Sequence, residues 1–114
     1  LEFIEGPAKL QLEASALLAK SRGERDVRKR RDTLADARES LQSCAKKGRT
    51  IVSSSPEMKR RVLLVQGQKR TPDSILASCD ASLRLTDKSI ASLDKQIAVA
   101  DARASRKPKA KRRR

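Results

Sequence analysis

Residues 72–104 read PDSILASCDASLRLTDKSIASLDKQIAVADARA, and the architecture hangs on this stretch. Leu76, Cys79, Leu83, Thr86, Ile90, Leu93, Ile97 and Ala100 succeed one another at spacings of three and four, the pattern of a helix that packs lengthwise on other helices. With Leu76 at position a of a heptad, every a position is leucine or isoleucine, and position d carries Cys79, Thr86, Leu93 and Ala100. Position e is aspartate each time, at Asp80, Asp87, Asp94 and Asp101. An acidic line beside an apolar seam sets which partner is chosen and in which orientation, although exposed ion pairs select better than they hold. That line calls for a basic counterpart, and the rest of the chain is rich in arginine and lysine.

With this helix as anchor, the expected fold is all-α: an antiparallel helical hairpin or coiled coil with helices over 8–46 and 72–104, a short intervening helix and a disordered basic tail. Gly6-Pro7 breaks the chain before the first helix, since proline lacks an N–H and crowds the preceding turn. Leu10, Ala14, Leu17 and Leu18 give that helix an early apolar stripe, and Val27, Leu34, Ala37, Leu41, Cys44 and Ala45 a late one. Between them, 22–31 is polar where a seam should continue, and Gly23 weakens the helix by about 1 kcal/mol relative to alanine. This middle segment faces either the aspartate line, as antiparallel packing would arrange, or a phosphate outside the molecule through Arg28, Lys29, Arg30 and Arg31.

Residues 46–55 read as a loop whose end is a helix start, with Ser55 as cap, Pro56 in the first position and Glu57 complementing the dipole. Segment 56–70 is then a short helix or a bent preface to the long one. Thr71-Pro72-Asp73 repeats the start signal. Two units result, a helical assembly domain over 1–104 and a basic tail over 105–114. Because the chain begins with leucine, it is expected to be a piece of something longer.

Composition limits function. The chain has 114 residues, one Phe, no Trp or Tyr, four Gly and four Pro, which points away from a sheet protein. The net charge is +14, and eight basic residues without an acid occupy 103–114. Such a segment suits an acidic partner, nucleic acid or an import receptor. Arg106, Lys107, Lys109, Lys111, Arg112, Arg113 and Arg114 are the candidate nuclear-localisation or nucleic-acid residues. Cys44 and Cys79, without any histidine, form no zinc-ligand spacing and read as two small buried side chains in a reducing compartment. No nucleophile and base set, metal cluster or phosphate loop is present, so neither an enzyme, a cofactor nor a small-molecule substrate is expected. No apolar run approaches a membrane span.

Two places resemble a family. Phe3-Ile4-Glu5-Gly6-Pro7-Ala8-Lys9-Leu10-Gln11 resembles the opening of the N-terminal domain of inhibitor-of-growth proteins. Asp87-Lys88-Ser89-Ile90-Ala91-Ser92-Leu93-Asp94 is similar to that family's Asp-Lys-x-Ile-x-x-Leu-Asp segment, with a Ser-Pro helix start between the two, here Ser55-Pro56-Glu57. The usual leucine before the proline is Gly6, and the family's C-terminal zinc finger has no counterpart in these residues. The resemblance implies a nuclear chromatin regulator, a non-catalytic assembly subunit of a histone acetyltransferase or deacetylase complex. It would act through protein-protein interaction in transcription regulation, with the other subunits or a second copy as partner and with its tail touching nucleosomal DNA. The partner interface would be Leu76, Cys79, Leu83, Ile90, Leu93 and Ile97, flanked by Asp80, Asp87, Asp94 and Asp101. The rival readings are a basic helical nucleic-acid-binding protein, such as a ribosomal or nucleoid component, and a trafficking coiled coil, which the high charge and missing anchor disfavour.

Overall fold

The computed structural model describes the backbone of residues 2–112 and the side chains of 2–105. Helix α1 spans Lys9–Arg22, α2 Val27–Ser54 and α3 Pro72–Arg112. Between α2 and α3 lie a 3-10 turn, Pro56–Arg60, and a two-stranded antiparallel hairpin of β1, Leu63–Val65, and β2, Gln68–Arg70. The expected all-α architecture holds. Helix α2 is the central rod, with α1 and α3 both antiparallel to it.

The Gly6-Pro7 break is absent: the chain is helical from residue 2 and passes Pro7 in a π-helical turn over Ile4–Ala8. The wider turn relieves the clash between the proline ring and the carbonyl four residues earlier, so a helix reads through where α geometry would stop. The single helix expected over 8–46 is instead two. Gly23 ends α1, and the Asp26 carboxylate caps α2 by accepting from the Arg28 and Lys29 amides at 2.9 and 3.2 Å. Arg30 reaches back to donate to the Glu24 carbonyl at 2.9 Å. A glycine stop with an aspartate cap just after it reverses the chain rather than only weakening it.

The loop expected over 46–55 is also corrected, because α2 continues to Ser54. Gly48 is buried where helices meet: a Cβ there would lie 2.5 Å from Leu76 Cδ2 and 3.3 Å from Phe3 Cε2. This glycine marks close approach and not a turn. Residues 56–70 begin with the expected helical turn at Pro56, but the rest of that segment forms the hairpin. Gln66 and Gly67 have φ of 51° and 78°, the left-handed pair of a two-residue turn whose twist matches the strands. Thr71 and Ser74 cap α3 reciprocally, each amide donating to the other's hydroxyl at 3.2 Å. The tail expected to be disordered is helical in its backbone as far as Arg112; Arg113 and Arg114 lie outside the described residues.

The core gathers at one end, where the N-terminal turns, the last half of α2, the first half of α3 and the hairpin converge. Phe3, Leu41 and Ile75 are fully buried, and Val52, Leu63, Val65 and Leu76 pack with them. Cys44 and Cys79, read from sequence as two independent buried side chains, are joined there in a disulfide between α2 and α3. Arg70 binds three elements together, donating to Gln11 Oε1 at 2.7 Å and to Ser78 Oγ at 3.1 Å.

Candidate interaction surfaces

The aspartate row is answered within the chain. Asp80 takes two hydrogen bonds from Arg49 Nη2 at 2.8 and 2.6 Å, and Asp94 accepts from Arg31 Nε at 2.9 Å. Asp87 pairs with Arg38, and Asp101 with Arg28. As the aspartates rise in number the arginines fall, the signature of antiparallel rods. The charged segment around Arg28–Arg31 therefore faces the acidic line, one of the two arrangements expected. The hydrogen bond and charge of Asp94 raise the Arg31 pKa above its ordinary value. Raised in the folded state, that group contributes stability that is lost only as pH rises through its folded pKa, beyond any ordinary working range.

The seam is largely occupied by α2. Leu76, Cys79, Thr86 and Leu93 are buried; Leu83, Ile90 and Ile97 are half-buried, and Ala100 is exposed. Thr86 sits at a buried d position because its hydroxyl donates to the Ser82 carbonyl at 2.7 Å, leaving no orphaned polar atom. Burial fades toward the C-terminus because α2 begins only at Val27, opposite Ala100 and Ile97. Beyond Asp101, the last rung, α3 has no part of α2 left to lie against. The overhang carries Arg103, with Arg106, Lys107, Lys109, Lys111 and Arg112 farther along the sequence; the side chains from Arg106 onward lie outside the described ones.

Leu85, 66% exposed, and Val99, 51% exposed, share one outer face of α3, two heptads apart. The heptad pattern assigned them no role, since both occupy position c. Among the described residues no group of three or more His, Cys, Asp or Glu could hold a metal, and no helix is long and apolar enough to cross a membrane. The cleft between the end of α1, α2 and α3 is lined by Ser21, Arg22, Arg30, Leu34, Ser89 and Leu93, which offer no carboxylate or imidazole as a base. Comparison with protein-family models, curated proteins and solved structures finds no match for this chain. What the geometry offers is surface: an exposed charge ladder, two separate apolar side chains on the outside of α3, a basic overhang and an exposed hairpin.

Proposed function

We propose that the chain is a non-catalytic assembly subunit of a chromatin-modifying complex, of the histone acetyltransferase or deacetylase kind, acting in the nucleus. The observation that carries it is the division of labour along α3. The helix's four row aspartates are matched inside the body by Arg28, Arg31, Arg38 and Arg49, so among the described residues no aspartate of the row is left over for the basic end of the helix. One helix thus joins a helical docking body to a sequence-basic end suited to an import receptor or to nucleosomal phosphates. The two segments resembling inhibitor-of-growth proteins, residues 3–11 and 87–94, support the same reading.

Docking uses the outer surface of α3 at Leu85 and Val99, because the seam proper is largely covered by α2. The test is affinity purification of the full-length protein from nuclei, with its companions identified by mass spectrometry. Acetyltransferase or deacetylase subunits should co-purify with the wild type and be lost from L85D/V99D, which changes only exposed positions. Companions unrelated to histone acetylation would overturn the reading.

A second reading, direct nucleic-acid binding as the main function, is favoured by the same overhang. It requires affinity for duplex DNA that falls with salt at about −0.9 per phosphate contacted, and loss of most of that affinity when residues 103–114 are removed. In the assembly reading this deletion leaves the co-purifying subunits in place and abolishes nuclear accumulation or the contact with nucleosomal DNA.

A further inference from the structure

The hairpin carries two large apolar side chains on its outer face. Leu63 and Val65 point into the core, while Val62 and Leu64 between and beside them are 61% and 64% exposed. The pairing register is Val65 with Gln68, Leu64 with Lys69 and Leu63 with Arg70. In a two-residue hairpin the pair next to the turn exchanges hydrogen bonds and the next pair out does not. The Leu64 N–H and C=O therefore point away from β2, along the outer edge of β1, and among the described residues no other backbone or side-chain group bonds to them. That edge is unpaired and apolar.

Cations flank it along the chain. Lys59, Arg60 and Arg61 precede the strand and Lys69 lies across from Leu64; all are exposed, and among the described residues none makes an ion pair. Basic residues beside an edge strand are a common guard against pairing between copies, and in a chain of net charge +14 they repel a second copy. A guard alone is better served by polar residues at 62 and 64, where the apolar ones stay mostly exposed.

We infer that the outer edge of β1 is a docking site for an extended acidic segment of a partner protein, which adds as a third strand. Its backbone pairs with Leu64, its apolar side chains cover Val62 and Leu64, and its carboxylates meet Lys59, Arg60, Arg61 and Lys69. The site lies at the core end of the molecule, away from the basic overhang, and does not depend on the chromatin reading.

The test uses the full chain and a fluorescein-labelled peptide of about ten residues alternating valine and glutamate, with binding read by anisotropy and by amide NMR. Saturable binding should shift the Leu64 and Lys69 amide signals and weaken with salt. L64E should weaken it at least about tenfold, through loss of an apolar anchor and like-charge repulsion; being exposed, the position leaves helix content unchanged. A peptide N-methylated at alternate residues, which cannot pair along an edge, should bind at least as poorly. Equal binding of the N-methylated peptide, or undiminished binding to L64E, would show attraction to the basic body and overturn strand addition. Absence of binding by the parent peptide would also overturn it.

Discussion

Gly48 shows how one residue type carries opposite meanings. In sequence it stands among Lys46, Lys47 and Arg49 and suggests a loop, yet it is the point where α2 comes closest to Phe3 and Leu76. Gly48→Ala should gain about 1 kcal/mol of helix propensity, but overpacking a filled core costs about 1–3 kcal/mol. The expected outcome is a lower Tm with unchanged helix content, measured by circular dichroism; a higher Tm would mean that Leu76 moves aside freely. Gly67 is the contrary case, a glycine at φ 78° with open space around it, needed for its backbone and not for its size. Both were visible as letters, and only their surroundings distinguish a close approach from a turn.

Between α2 and α3, the ladder acts on pairing more than on total stability. Its members are exposed, so each rung contributes little, but four rungs in one register penalise any sliding of one helix along the other. Charge reversal at the Arg38 and Asp87 rung tests this. R38D and D87R alone should each lower Tm by placing like charges together, and the R38D/D87R pair should recover most of the loss. A coupling of about 0.2–1 kcal/mol is expected in the double-mutant cycle, shrinking in high salt. Additive losses would mean that the apolar seam alone fixes the register. The heptads made the aspartates legible and set the Arg28–Arg31 segment against them as one of two arrangements; Arg38 and Arg49 escaped because they stand among other charged residues of α2, and only the alignment of the two helices shows which of these face α3.

As a whole the molecule is a rod, with extents of 72 × 25 × 16 Å and a radius of gyration of 19.3 Å, where a compact chain of this length would have about 13 Å. Its stability is concentrated at one end, where the disulfide closes a separation of 35 residues. Such a link contributes about 4 kcal/mol by restricting the unfolded chain. Reduction, or C44A/C79A, should therefore lower Tm substantially in thermal denaturation; an unchanged Tm would assign the holding of that end to packing alone. Disulfides are uncommon in reducing compartments, which bears directly on the nuclear reading. Blocking free thiols as nuclei are lysed tests that reading: both cysteines alkylated would mean that the bond is open there, and an intact Cys44–Cys79 disulfide would overturn nuclear residence.

The helical character, the antiparallel pairing of a long C-terminal helix and the need of its aspartates for basic partners were all determined by the sequence, because periodicity and charge are local and repeat along one element. Tertiary structure alone decided the rest. Gly23 and Asp26 became a reversal because α1 had a face of α2 to return to. Residues 62–70 became a hairpin because Leu63 and Val65 had a core to enter, and the same apolar residues would satisfy a short helix elsewhere. Cys44 and Cys79 were joined because the antiparallel alignment of α2 and α3 sets them opposite each other. Contacts between residues distant in the chain leave no period to read, so such features emerge only once the elements are placed together.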